Sequence, residues 1–315
     1  MTESSRIECL DGLRAAAALW VLVGHCLLLT GWHLPVLGDP ALGVDLFIML
    51  SGFLMVFHYQ LRQDKEPWQR PETWLKFWTR RYFRIAPLFY VVLFFALALG
   101  PYVYESRTVI DAFVGRVPQA PERYLDSSLK NIFAHLTFLF GLSPNFAYRT
   151  PLPDWSLGLE MQFYAVFPAL MLLVRLFGWL RSALVVAALG ALAVLGFFAL
   201  VLYRMLPGAA GAVARKVAVA LGGGIFHVLG ELSYSIYLIH LLILQPVAAF
   251  VIARYGDGLG APLRFAIVLA VVLPVVCLLS FVTYRLIEMP GQQLGRVVLR
   301  RFARKKPALE PSPAE

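Results

Sequence analysis

Apolar runs of about twenty residues, broken by short polar interludes, set the rhythm of this chain. A membrane-crossing helix needs roughly 20 mostly apolar residues. Seven stretches meet that length: 13–32, 41–60, 85–104, 155–175, 182–204, 233–253 and 262–286. Two more are apolar but short: 129–143, with His135 inside it, and 217–230, with Gly222, Gly223 and Gly224 in a row. No stretch alternates polar and apolar positions as the strands of a membrane barrel do. The pattern therefore predicts an all-α integral membrane protein, a polytopic helical bundle of about eight spans within a range of 8–10. The membrane domain is expected over 1–306. The polar, proline-rich stretch 307–315 is expected to be a disordered cytoplasmic tail.

Composition strengthens this reading. Of 315 residues, 59% are hydrophobic and 15% charged, and the mean hydropathy is +0.70. Soluble domains sit near 45–50% apolar and about 25% charged, and disorder requires low hydrophobicity. The net charge of +9 would raise nucleic acid as a partner for a soluble protein. Here the basic residues gather between spans, as cytoplasmic loops facing anionic lipid do, so membrane lipid and no nucleic acid is expected. Cys9, Cys26 and Cys277 are odd in number and widely spaced, which argues against a disulfide framework or a metal site. The first apolar run reaches Thr30 without a small-residue cleavage motif and is read as a span rather than a signal peptide.

Charge also orients the bundle. Residues 62–84 carry seven basic side chains against three acids, and 296–306 carry six against none. Both are expected on the cytoplasmic side, while 105–130, balanced at four and four, suits the outside. Both termini then lie in the cytoplasm if 129–143 crosses and 217–230 does not. That arrangement leaves Arg175 and Arg181 outside, against the bias.

Ionisable groups inside a bilayer are costly and point to function. Arg14 and His25 are eleven residues apart on the first span, which puts them on one helix face about 16 Å apart. Asp45 opens the second span as a helix cap or a buried acid. Arg80, Arg81 and Arg84 crowd one turn at a membrane entrance, where they are either a topology anchor or phosphate ligands. Glu160 lies one turn into the fourth stretch, in the run Trp155 to Tyr164. Ser233, Tyr237 and His240 share a face that points into the bundle, suited to helix–helix hydrogen bonds or a substrate.

In this order the segments resemble the acyltransferase family 3 membrane proteins. The matching stretches are LDGLRAAAALWVLVGH (10–25), GVDLFIMLSGFLM (43–55), RRYFRIAP (80–87), WSLGLEMQFYAVFP (155–168) and LGELSYSIYLIH (229–240), with Glu288-x-Pro290 closing the last span. The resemblance implies an integral O-acyltransferase of the bacterial inner membrane. Such a protein moves an acyl group, commonly acetyl, from cytoplasmic acyl-CoA to a hydroxyl of a surface polysaccharide or related glycan, without a metal. Family members are described with ten spans against about eight here. The family's essential arginine and histidine fall on Arg14 and His25, and its basic entrance on Arg80, Arg81 and Arg84. His25 is then the general base, since imidazole titrates near neutral pH, with Asp45 or Glu160 orienting it. Arg14 and the 80–84 cluster hold the donor's phosphates, its pantetheine arm runs up the first helix, and Ser233, Tyr237 and His240 meet the acceptor. The rival reading is a transporter or flippase of a lipid-linked sugar, though no inverted repeat is visible.

Overall fold

The structure, a computed structural model, describes residues 8–179, 181–182 and 224–304. Among them the chain is helical without a strand. The helices are α1 (Glu8–Thr30), α2 (Pro40–Arg62), α3 (Pro71–Val114), the short α4 (Glu122–Leu125) and α5 (Leu129–Leu136), α6 (Trp155–Phe177), α7 (Gly224–Tyr255), α8 (Ala261–Thr283) and α9 (Met289–Arg304). A π-turn over Tyr284–Glu288 joins α8 to α9. Among the described residues six stretches are long and apolar enough to cross a membrane, from Leu10–Thr30 to Ala261–Phe302. The all-α polytopic expectation holds. The expected span 182–204 lies almost wholly outside the described residues, as do 217–223 and the tail 307–315.

Local chemistry sets the helix ends. The Asp39 carboxylate accepts the Ala41 N–H at 3.0 Å, and Pro40 occupies the first turn, where its missing N–H costs nothing. Gly115 ends α3 in the left-handed conformation (φ 69°), with its N–H returned to the Asp111 carbonyl.

Helix pairing in lipid is driven by close packing rather than by the hydrophobic effect, and the centre of this bundle is built accordingly. Ala15, Ala17, Ala18, Val21 and Leu22 on α1 are fully buried. Gly43 of α2 packs so tightly on α1 that a Cβ there would sit 2.8 Å from Val21 Cγ2 and 3.0 Å from the Ala17 carbonyl oxygen. Gly230 of α7 meets the Asp11 backbone in the same way. At the other end His240 of α7 meets His25 of α1, so α7 runs parallel to α1 and α2 antiparallel. A second core joins α2, α3, α6 and α7 through Phe77, Phe89, Phe167 and Trp68.

The stretch 129–143 does not cross. It forms an eight-residue helix, about 12 Å long, then a left-handed Phe138 (φ 59°) and one 3-10 turn over Leu139–Leu142. Buried Asn131 holds it to the loops through hydrogen bonds to the carbonyls of Asp126 (2.7 Å) and Arg149 (3.0 Å). It is part of a cap, 115–154, that rests on α3. That helix has 44 residues, about 66 Å, roughly twice the hydrocarbon thickness.

This removes the conflict over Arg175. The end of α6 lies at the same end of the bundle as Arg62, where the charge of Arg175 reaches Tyr59. Helix α7 starts there too, with His227 3.9 Å from Asp11. The arginine-rich ends of α1, α2, α3, α6 and α9 therefore share one side.

That clustering carries a topology expectation. In a background without native thiols, Lys130→Cys on the cap should react with a membrane-impermeant maleimide in intact cells. Lys65→Cys, between α2 and α3, should react only after permeabilisation. The reverse pattern would invert the bundle.

Candidate active site

Two imidazoles from helices far apart in sequence meet near the C-terminal end of α1. His240 Nδ1 lies 2.7 Å from the Tyr237 carbonyl oxygen, and its Nε2 lies 3.1 Å from His25 Nδ1. His25 Nδ1 is also 2.9 Å from the Val21 carbonyl oxygen. A carbonyl only accepts, so both Nδ1 atoms carry hydrogen. His240 donates to Tyr237, and its Nε2 accepts from His25. His25 Nε2 is thereby left with its lone pair and no hydrogen-bond partner among the described residues. His25 is half-buried and His240 fully buried. An acceptor that fixes the tautomer of a second histidine is the usual device for orienting a base.

The side-chain partner of the His25 imidazole is His240; neither Asp45 nor Glu160 bonds to it. Asp45 is exposed in the second turn of α2 and bonds to neither imidazole. Glu160 accepts the Ser51 hydroxyl at 3.0 Å and the Tyr164 hydroxyl, tying α6 to α2. Ser233 and Tyr237 also have protein partners. The Ser233 hydroxyl donates to the Gly230 carbonyl at 2.7 Å. The Tyr237 hydroxyl donates to the Pro153 carbonyl at 2.6 Å and accepts from Ser156 at 2.6 Å, pinning the start of α6 beside the histidines.

At the basic end a cavity of about 550 Å³ opens, lined by Arg14, Arg62, Arg80, Arg81, Arg84 and Arg296 among others. Its arginines are not equivalent. Arg80 forms a two-pronged ion pair with Glu66 (3.0 and 2.8 Å), and the cations around Glu66 hold its carboxyl below the ordinary range despite its burial. Arg14, Arg81 and Arg84 have no acidic partner within ion-pair distance among the described residues. Arg81 lies over the rings of Phe77 and Tyr164, 5.6 and 5.3 Å from their centroids. Glu288, just beyond, accepts the Ser235 hydroxyl and locks α7 to the π-turn. Three guanidinium groups without an ion-pair partner among the described residues thus converge on one cavity, whose lining also includes Asp11 and Glu231.

The cap adds a pair that the sequence had not marked. Asp154 and His135 are each 1% exposed, with Asp154 Oδ2 3.5 Å from His135 Nε2. Asp154 accepts the Thr150 hydroxyl at 2.7 Å, and His135 donates from Nδ1 to the Asn131 carbonyl at 2.9 Å. Burial pushes the Asp154 carboxyl up to about 7 and the His135 imidazole down. The sequence signal was a lone histidine in a short apolar run nineteen residues before an aspartate, too little to pair them.

The family model described as an acyltransferase domain, that of acyltransferase family 3, matches residues 7–227. Among curated proteins the chain is similar to the peptidoglycan O-acetyltransferase OatA of Listeria monocytogenes, at 28% identity over 173 residues, 53% of this chain and 24% of that protein. It is similar to BcsY of Komagataeibacter xylinus, named as a membrane-bound transacylase, at 29% over 170 residues, 53% of this chain and 38% of that protein. It is also similar to the Regulator of hypoxia-inducible factor 1 of Caenorhabditis elegans, at 28% over 204 residues, 55% and 36%. In each case the alignment takes in well under half of the relative's length. No solved structure matches. Tyr237, His240 and Glu288 lie beyond the stretch the family model covers.

The buried carboxyl gives a pH expectation. A carboxyl raised in the folded state binds its proton more tightly there than in the unfolded chain, so its contribution falls as pH rises from the ordinary carboxylate range through about 7. His135 acts in the opposite sense, its neutral form being favoured, so stability falls as pH drops below the ordinary imidazole range. Asp154→Asn isolates the carboxyl. Its thermal midpoint relative to wild type should rise between pH 5 and pH 7.5, measured in detergent by intrinsic fluorescence. A difference that does not vary with pH would show that the carboxyl does not titrate there.

Proposed function

Because the chain belongs to acyltransferase family 3, we propose that it is a membrane O-acyltransferase that moves an acyl group, acetyl in the simplest case, from acyl-CoA to a hydroxyl of a carbohydrate. The observation that carries this reading is the pairing of two half-sites across the bundle. Three unpaired guanidinium groups face a cavity at the basic end, and toward the other end an imidazole presents an unprotonated, unpartnered nitrogen. Arg14 and His25 begin and end one helix face, about 16 Å apart, a separation that suits a donor with anionic groups at one end and a reactive carbonyl at the other. Similarity to a peptidoglycan O-acetyltransferase and to a protein named a transacylase supports a hydroxyl acceptor on a glycan.

On this reading Arg14, Arg81 and Arg84 bind the donor's phosphates, and exchange of Glu66 for a phosphate would add Arg80. His25 Nε2 takes the acceptor hydroxyl's proton as the oxygen attacks the thioester carbonyl. The C–S bond breaks, the new C–O ester bond forms, and the imidazolium returns its proton to the departing CoA thiolate. His240 strengthens the base by accepting from Nδ1 as positive charge develops on the ring.

Two sets of variants test the halves separately. Arg14→Gln, Arg81→Gln and Arg84→Gln should each raise KM for acetyl-CoA by about tenfold or more, since a charge-assisted hydrogen bond contributes about 1.5–3 kcal/mol. Turnover at saturating donor should stay near wild type. His25→Ala should lower kcat by about 10²–10⁴ at matched membrane abundance, with no rescue by donor. Wild-type turnover in His25→Ala would sink the mechanism.

His240 is a positioning residue. His240→Gln keeps a side-chain acceptor and should retain more activity than His240→Ala. The ascending limb of the pH–rate profile should move in His240→Ala, because His25 has lost the partner of its Nδ1 proton. Equal activity and an unmoved profile in both variants would reduce His240 to packing.

A further inference from the structure

The larger cavity leaves a gap in the proposed route. Along α1 it reaches only Leu10, Asp11 and Arg14. Above Arg14 the helix is closed by packing, with Ala15, Ala17, Ala18, Val21 and Leu22 fully buried. A donor arm therefore has no path along the Arg14–His25 face of α1.

A second cavity, of about 320 Å³, offers one between α2 and α6. It adjoins the first at Tyr234. Helix α2 lines the larger cavity with Leu54 to Arg62 and the smaller with Val44 to Ser51, and Tyr234 of α7 lines both. At its far end stand Ser156 and Tyr237, with His240 one helical turn further along α7. Its walls are mostly apolar, formed by side chains such as Phe47, Ile48, Phe163 and Val166, with Ser51, Glu160 and Gln162 among the few polar groups. Apolar walls with a few placed polar groups are the usual make-up of a small-molecule site. Ser51 and Glu160 already hold each other. The Gln162 carboxamide does not have that satisfaction: its Nε2 is packed beside Gly141 without an acceptor, and its oxygen, on a side chain that lines the cavity, takes no hydrogen bond among the described residues, so the amide lacks a partner.

We propose that the cavity between α2 and α6 is the pantetheine subsite, with the Gln162 carboxamide bonding an amide of the arm and the thioester delivered at Tyr237. This rests on the reading that the donor is acyl-CoA. A pantetheine arm is a narrow chain of methylenes and methyls carrying two amides, which matches apolar walls with one free amide partner. Rising from the arginines past Tyr234, it leaves its reactive end one turn from His240 and His25.

The test separates the two ends of the donor, using the full chain in lipid nanodiscs. Acetyl-CoA is one ligand. Adenosine 3′,5′-bisphosphate, which keeps the base and two of the three phosphates but lacks the arm, is the other. Val166→Trp fills the cavity from its lipid side, and Gln162→Leu removes the amide. Both variants should weaken acetyl-CoA by about tenfold or more, the scale of one buried hydrogen bond, and leave the bisphosphate within about twofold of wild type. Arg81→Gln should weaken both ligands. Unchanged acetyl-CoA affinity in both cavity variants overturns the proposal, and so does an equal loss for the two ligands. If neither ligand binds the wild-type chain, the donor reading itself fails and this proposal with it.

Discussion

A guanidinium group without an anion is one of the least tolerable things to place in a bilayer, costing about 2.5–3.5 kcal/mol at a helix centre on insertion scales and more in isolation. Much of this bundle is arranged around three of them. Arg14, Arg81 and Arg84 line one cavity at the basic end. The acids nearby are largely taken. Glu66 holds Arg80, Glu160 accepts two hydroxyls, and Glu288 accepts Ser235. Aromatic faces under Arg81 soften the cost without cancelling the charge. A protein that keeps its acids occupied elsewhere and leaves its cations open is stabilised by an anionic ligand in proportion to ligand concentration over Kd.

The same separation organises the polar side chains above. Hydroxyls of Ser51, Tyr237 and Ser235 each tie one helix to another or to the cap, and small residues bring α1, α2 and α7 together. Near the C-terminal end of α1 the His25 Nε2 lone pair is left open, and the fold holds it open by directing the other nitrogens of the His25–His240 pair to carbonyls and to each other.

Much of this was legible in the sequence, because lipid imposes a length on every span and a reason on every buried charge. The apolar runs gave α1, α2, α6, α7 and α8 within a turn or so at most ends, and Arg14, His25, Glu160 and the 80–84 turn stood out as polar positions in apolar surroundings. Tertiary pairing was not legible. Periodicity puts Ser233, Tyr237 and His240 on one face without saying that the first two are satisfied by backbone carbonyls and the third by His25. Nor does an i, i+4 spacing of arginines reveal that Glu66, in a loop, claims the first of them. The stretch 129–143 was mistaken for a crossing because an apolar cap packed on a long helix has the composition of a short span.

The two histidines are separated by 215 positions in the chain. At about 5–20 residues per second of synthesis, α1 stands in the membrane for roughly 10–40 s before the residue that orients its imidazole has been made. During that interval the ring has the Val21 carbonyl of its own helix as partner but not His240. Meanwhile the alanine face of α1 packs against α2, the neighbour that follows it directly. The site is therefore among the last things biogenesis completes: a nascent chain halted before α7 would hold the basic mouth but lack the group that fixes the base.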